Sequence, residues 1–389
     1  MAVPTEHVTS VPLCDLSRQT ALLEPLLLEA TQRVLRSGRF ILGPEEAAFT
    51  TELAHHAGAR RAVGVASGTD ALVLALRAAG VRPGDRVITT PFSFFATAEA
   101  ILIAGGHPVF ADIDPVTFTV DPVAVQAILR DKSTMHRRVG VRPDDVTALV
   151  PVHLFGHPAD VPALVDGDAP RVVIEDAAQA LGGHLEGRSV GTLGTAGCFS
   201  FFPSKNLGGF GDGGAVLTDD AALADAVTTL RAHGASRAHH HEQIGCNSRL
   251  DELQAALLRI KLGRLDAWIT RRRAVAGRYR ELLDDVPGII LPEDRAGGGH
   301  SYGQYTIRVS GERRDDLRRS LSSAGVSTAV YYPVPLHLQP ALRFLGYRAG
   351  DLPMAERAAR EVLSLPMFPE LTDGEVATVA AAIRAWARW

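Results

Sequence analysis

Cysteine is scarce in this sequence: 389 residues contain three, Cys14, Cys198 and Cys246, widely spaced and odd in number. That pattern supports neither a disulfide framework nor a paired-cysteine metal site, and it fits a reducing cytoplasm. Long apolar runs are missing too, so no segment is predicted to span a bilayer. The opening MAVPTEHVTSVPLCDL carries Pro, Glu and Asp and has no basic stretch leading into an apolar one, which argues against a secretory signal. Charge of one sign is lacking, since the formal net charge is −4. The densest basic triplet, Arg271 to Arg273, falls in a helical pattern and reads as a solvated face, so no nucleic-acid partner is expected. The chain also lacks the Gly-x-x-x-x-Gly-Lys of a P-loop and the Gly-x-Gly-x-x-Gly of a dinucleotide fold, which removes two common ways of holding phosphate.

What remains is an ordinary globular composition, 46% hydrophobic and 22% charged, in a chain longer than one hydrophobic core usually supports. From about Arg60 to Asp219, the short runs AVGVA, DRVITT, PVFADI, TALVPVHL, RVVIEDA, AGCFSFF and GGAVLT alternate with helical patterns such as DALVLALRAAG, TAEAILIAGG and DPVAVQAILR. This rhythm predicts an α/β fold with a mixed, mostly parallel sheet. A long helical pattern near 248–284 opens at Ser248, with Asp251 in a capping-box-like arrangement, and recurs at Leu250, Leu253, Leu257 and Ile260. After Gly297 to His300 the pattern changes to strand YTIRV, helix RRDDLRRSLSSAG, strand STAVYY and two further helices, a smaller α+β unit. The expected division is an N-terminal arm and large domain over residues 1–265 and a smaller domain over 266–389, linked by the 248–284 helix.

Three segments carry chemistry. In VGVASGTDALVLALRAAG a strand passes through Ser67-Gly68-Thr69-Asp70 into a helix. The free N–H groups and dipole of such a start attract phosphate, although a plain N-cap with a Gly turn reads the same way. In RVVIEDAAQALGG a strand ends in Glu175-Asp176, with Gln179 just beyond. Open α/β sheets bind ligands at such strand ends, and an ordinary helix cap is the alternative. A pyridoxal ring needs one carboxylate to keep its nitrogen protonated, and Asp176 meets that need. In GCFSFFPSKNLGGFGDGGAVLT, Ser200 and Lys205 lie among Phe199, Phe201, Phe202 and Phe210. Apolar neighbours lower an amine's pKa from about 10.4 and favour the neutral form that Schiff-base and proton-transfer chemistry require.

Together these segments resemble the DegT/DnrJ/EryC1/StrS sugar aminotransferases, pyridoxal-phosphate enzymes with the fold type I architecture of aspartate aminotransferase. The resemblance runs from SGRFILGPE through SGTDAL, PVHLFG, IEDAAQALGG, SFFPSKNLGGFGDGGA and GCNSRLDELQAALL to YYPVPLHLQPA and VLSLPMFPEL. It implies that Lys205 carries pyridoxal 5'-phosphate as a Schiff base and moves the proton during transfer. It implies that Asp176 pairs with the ring nitrogen and that Gln179 lies near the ring hydroxyl. Phosphate contacts are expected from Ser67, Gly68, Thr69, Ser200 and Asn247. The Asn comes from a neighbouring subunit, so the resemblance implies a homodimer with shared active sites. Phe95 is expected to stack on the cofactor, with Phe94 the local alternative. The implied donor is glutamate and the implied acceptor a nucleotide-linked keto sugar of amino-sugar biosynthesis. SGTDAL, SFFPSKNLG and NSRLDELQAA look most like members acting at C3 of a UDP- or dTDP-linked sugar.

The acceptor side stays open. Arg249 is a candidate for a substrate carboxylate, with a helix-start salt bridge as the alternative. Arg237 and His240 belong to a segment that in relatives approaches the diphosphate. His239-His240-His241 has no paired acid or cysteine spacing, so no metal site is expected. Tyr331-Tyr332 departs from the His-Tyr of many relatives, and His337 reads either as a pocket or as a packing residue. A 4-keto sugar nucleotide or inosose aminotransferase would share all the cofactor chemistry. A dehydratase of this fold would replace Lys205 with His, and a non-catalytic regulatory or binding protein would have an eroded pocket.

Overall fold

The computed structural model describes residues 10–167, 170, 172–237, 239–294 and 297–388. The start of the segment examined for a secretory signal lies outside the described residues. All seven short runs become strands of one sheet: β1 (Arg61–Val65), β2 (Arg86–Thr89), β3 (His107–Phe110), β4 (Val146–Val150), β5 (Val172–Asp176), β6 (Ala196–Ser200) and β7 (Gly214–Thr218). Their order is β1-β7-β6-β5-β4-β2-β3. β7 is antiparallel to β1 and β6, and the remaining pairs are parallel. β1 therefore points the same way as the parallel strands, and every strand but β7 ends at one edge of the sheet. Consecutive buried positions such as Val87-Ile88 and Ala148-Leu149 are apolar because both faces are covered. The Gly68–Ala78 helix packs across β5, β6 and β7 and buries Leu72, Leu74 and Leu76. Each such side chain contributes about 1.5–3 kcal/mol of transfer free energy.

Several expectations need correcting. The Arg271–Arg273 triplet is not a solvated face, since Arg272 is buried and donates to the Tyr302 and Met367 carbonyls at 3.0 and 3.2 Å. The single linking helix is two, Glu252–Leu262 and Leu265–Leu283. The break falls at Gly263-Arg264, where glycine forfeits about 1 kcal/mol of helix propensity. The first helix is capped by Asp251, whose carboxylate accepts from Gln254 N–H at 2.7 Å. Ser248 cannot serve as the cap because its hydroxyl is committed elsewhere, donating to Asp70 at 2.7 Å and accepting from Ala66 N–H at 3.0 Å. STAVYY forms no strand, only a single bridge between Ala329 and Ser364, and the chain there turns Tyr331 and Tyr332 into a cavity instead. The smaller sheet is β8 (Ile289–Ile290), β9 (Tyr305–Val309) and β10 (Val362–Leu365), antiparallel with β9 in the middle.

Helices Leu265–Leu283, Arg314–Ser323 and Asp373–Ala387 enclose a second core in which the Tyr279 and Tyr305 rings stack 4.8 Å apart. Val11 from the N-terminal arm belongs to this core. The arm continues as a 22-residue helix, Leu16–Ser37. It buries Leu23, Leu27, Ala30 and Val34, the last two against Ala256, and leaves Leu22, Leu26, Leu28 and Leu35 exposed. Its Arg18 donates two hydrogen bonds, of 2.9 and 2.6 Å, to Glu375, which also closes the capping box of the last helix. Among the described residues no helix is long and apolar enough to cross a membrane.

Candidate active site

Five strand ends open onto one cavity of about 380 Å³. Ser67 follows β1, Ser93 and Phe94 follow β2, Val152 follows β4, Asp176 ends β5 and Ser200 ends β6, and all six line the cavity. At one side Ser67 caps the Gly68–Ala78 helix, its hydroxyl accepting from Asp70 N–H at 3.1 Å. The N–H groups of Gly68 and Thr69, which no preceding turn can satisfy, are left at the cavity wall. A Cβ on Gly68 would stand 2.6 Å from the Ser200 Cβ, so only glycine lets the helix start close onto β6. Hydroxyls, unpaired N–H groups and a helix dipole converge there, the ingredients of an anion site.

The period of two along β5 separates its two acids. Glu175 points away from the cavity and is fully buried. It accepts from His153 Nε2 at 2.8 Å and from the N–H groups of Gly191, Leu193 and Gly194, each at 2.7 Å. Asp176 faces the cavity. Its Oδ2 accepts from the Thr97 hydroxyl at 2.7 Å and its Oδ1 from Ala178 N–H at 3.2 Å. The Thr97 hydroxyl in turn lies 2.9 Å from that of Ser93. Burial raises the Asp176 carboxyl above its ordinary pKa, while these hydrogen bonds and the nearby Lys205 charge pull it back down. Sequence reasoning passed over Ser93 and Thr97. The available signal was two small hydroxyl residues four apart, one inside PFSFF and one in the first turn of the helix that follows.

Lys205 sits in the irregular segment after β6, partly exposed to the cavity and closely surrounded by protein. Desolvation pushes its amine below the ordinary lysine range, with Asp176 opposing. The Gln179 amide is fixed at both ends: Oε1 accepts from Phe155 N–H at 2.7 Å and Nε2 donates to the Tyr332 hydroxyl at 3.0 Å. Tyr331, Tyr332 and Gln304 close the cavity from the C-terminal half of the chain. Gln304, too, went unnoticed in the sequence.

Other candidates fall elsewhere. Phe94, 57% exposed, lines the cavity, whereas Phe95 opens the Ala96–Ile103 helix and packs against the cluster of Ala98, Phe110 and Leu336. Successive residues at a helix start diverge by about 100°, so only one of the pair can face the cavity. His337 is a packing residue: it is 1% exposed, and its Nε2 lies 3.1 Å from Glu356 Oε1. Asn247 is exposed outside this chain's cavity, and Arg249 lies outside it as well. The Arg249 guanidinium has no hydrogen bond or ion pair among the described residues, and its Nε is buried, so the helix-start salt bridge does not form. Arg237 and His240 are exposed on a short hairpin, with His240 Nε2 3.8 Å from Glu242.

Comparison with known proteins adds five findings. The model of the DegT/DnrJ/EryC1/StrS aminotransferase family matches residues 23–384. A protein of Geobacillus stearothermophilus named "Pleiotropic regulatory protein" is 47% identical, over 94% of this chain and 95% of its own length. A UDP-N-acetyl-3-dehydro-alpha-D-glucosamine 3-aminotransferase of Acidithiobacillus ferrooxidans is 42% identical, over 97% of this chain and 98% of its own. Among solved structures, DesV of S. venezuelae in complex with a ketimine intermediate is 42% identical with a TM-score of 0.91, covering 98% of this chain and 100% of that one. NtdA of Bacillus subtilis with bound PMP is 30% identical with a TM-score of 0.87, over 99% and 87%.

Proposed function

This chain belongs to the DegT/DnrJ/EryC1/StrS aminotransferase family and is a pyridoxal-phosphate-dependent transaminase, and we propose that it transfers an amino group from glutamate to a nucleotide-linked 3-keto sugar, acting as a cytoplasmic homodimer. The observation that carries this reading is the meeting in one cavity of Lys205, Asp176 and the Ser67-Gly68-Thr69 helix start with Ser200. These residues fit the cofactor on three independent counts: an anion site whose helix start and Ser200 can close together only because Gly68 has no Cβ, a buried carboxylate, and a desolvated amine.

Bound there, the cofactor supplies an electron sink for charge developing at the amino-bearing carbon. The helix start and Ser200 hold its phosphate. Asp176, whose carboxylate form the Thr97 and Ala178 donors favour against the upward push of burial, would set its charge against the ring nitrogen. Gln179 and Phe94, both lining the cavity, would serve the ring hydroxyl and the ring face. Lys205 Nζ would hold the cofactor covalently and, once a substrate amine has displaced it, would be the neutral amine that takes and returns the proton of the transfer. Asn247 and Arg249 serve a second copy of the chain, Asn247 at the phosphate and Arg249 at a substrate carboxylate. Their lack of partners among the described residues supports that placement, as do the exposed Leu22, Leu26, Leu28 and Leu35 of the N-terminal helix and Phe40, Ile41 and Leu42 after it.

The 3-dehydro sugar in the name of the Acidithiobacillus relative supports C3 as the position, alongside SGTDAL and NSRLDELQAA. A purely regulatory role, as in the name of the Geobacillus relative, would leave Lys205, Asp176 and Gln179 without work. The test is to load the protein with amine from glutamate, remove the donor, and offer UDP- and dTDP-linked 3-keto sugars, 4-keto sugars and inososes. The 3-keto sugars should return the aldehyde-form absorbance. Recovery only with a 4-keto sugar or an inosose moves the assignment to that acceptor, and no reaction with glutamate removes it as donor.

A further inference from the structure

The helix Glu252–Leu262 places a lysine where the chain is buried. Lys261 is 3% exposed, makes no ion pair among the described residues, and lies outside the active-site cavity. Its Nζ donates to the Gly208 carbonyl at 2.7 Å and stands 4.4 Å from the centroid of the Phe210 ring. An ammonium withdrawn from water persists only where other groups replace its hydration, and here a carbonyl and an aromatic face do so. Burial still pushes its pKa down to about 8.

Both contacts fall in the segment that carries Lys205. That segment is folded tightly on itself: Lys205 N–H donates to Phe202 O at 2.9 Å and Gly209 N–H to Phe201 O at 2.7 Å. A Cβ on Gly208 would stand 2.0 Å from the Pro203 carbonyl. The segment is fastened to the helix at two points. Gln254 Oε1 accepts from Phe210 N–H at 2.8 Å, and Lys261, seven residues on and so on the same helix face, takes Gly208 and the Phe210 ring. Lys205 lies three residues before the first of these points, inside the turn that the Gly209–Phe201 hydrogen bond closes.

We propose that Lys261 is a positioning residue for Lys205: its ammonium, held between the Gly208 carbonyl and the Phe210 ring, fixes the loop that presents the Lys205 amine to the cofactor. The inference rests on Lys205 being the cofactor-bearing lysine. Lys261→Met keeps the length and removes the charge, and Lys261→Arg keeps charge and donor. The readouts are cofactor affinity of the apoprotein, the rate of the glutamate half-reaction, and far-UV circular dichroism. With Lys261→Met both affinity and rate should fall about tenfold, inside the ~10²-fold that an ångström of misplacement costs, with wild-type circular dichroism. Lys261→Arg should restore both to within about threefold, since a guanidinium also stacks on aromatic faces. Wild-type affinity and rate in Lys261→Met overturn the proposal, as does equal impairment in Lys261→Arg. Should Lys261→Met fail to fold, Phe210→Leu at a part-exposed site decides: a loss of about threefold from the missing cation–π contact supports the proposal, and no loss overturns it. A cofactor absorbance band left unchanged by Lys205→Ala overturns instead the assignment of Lys205, and this inference with it.

Discussion

Around Asp176 the polar groups are paired: its two oxygens take Thr97 and Ala178, Thr97 meets Ser93, and Gln179 is held by Phe155 and Tyr332. Around Asn247 and Arg249 the reverse holds. Neither side chain has a partner among the described residues, one guanidinium nitrogen is buried without an acceptor, and large apolar side chains stand exposed on the N-terminal helix. The first region is preorganised by a single chain, which lets its charges act in a desolvated setting without reorganising. The second carries the marks of a surface whose counterpart is another molecule, because a buried donor left unpaired is costly unless something supplies an acceptor.

That contrast can be broken or sharpened by mutation. The largest effect belongs to the preorganised side: Lys205→Ala should abolish the absorbance of lysine-bound cofactor and lower turnover by at least about 10³-fold, the scale on which general acid–base groups act. A variant within tenfold of wild type would disprove its role. Asp176→Asn should cost about 10²-fold through loss of the charge opposite the ring nitrogen. It has a second signature in the apoprotein. Asp176 holds the Lys205 pKa up against burial, so removing the charge should move the pH midpoint of Lys205 labelling by an aldehyde probe to lower pH. A shift to higher pH contradicts that coupling.

On the other side, Asn247→Ala should weaken cofactor binding by about tenfold, the worth of one hydrogen bond to a charged group. Mixing it with Lys205→Ala then tests where Asn247 acts. If it serves the partner's site, half of the randomly formed dimers carry one intact site, and at cofactor concentrations too low to fill Asn247→Ala sites the mixture gains about a quarter of wild-type activity. No recovery places Asn247 in its own chain's site. The smallest effect is expected for Thr97→Val, a three- to tenfold fall in kcat at pH 7 from one lost hydrogen bond to Asp176, checked by steady-state kinetics; unchanged kcat would leave Thr97 a packing residue.

The sheet was legible in the sequence because its strands are short β-branched runs separated by amphipathic helices, and local pattern suffices for that. That Lys205 and Asp176 meet in one cavity was legible only from their segments taken together, because each alone also reads as an ordinary loop lysine or helix cap. What local pattern could not carry was register and long-range pairing. PFSFF offers Phe94 and Phe95 equally until the helix start is known. Thr97 has no apparent task until Asp176, 79 residues away in sequence, folds against it. The break at Gly263 was hidden because apolar spacing continues on both sides of it. Glu252, near the start of the preceding helix, accepts from the N–H groups of Gly43, Glu45 and Glu46, and nothing in the spacing of SGRFILGPE announces that partner.

The helix Glu252–Leu262 connects the two regions. Its leading end emerges from Asn247-Ser248-Arg249, and its body grips the loop of Lys205 through Gln254 and Lys261. In the proposed dimer it acts as a crossbar, with one end at the partner's phosphate and the other at its own lysine. Occupying one site then pulls on the other, so apoprotein titrated with cofactor should fill in two steps of unequal affinity. A single-step isotherm would mean that the crossbar transmits nothing.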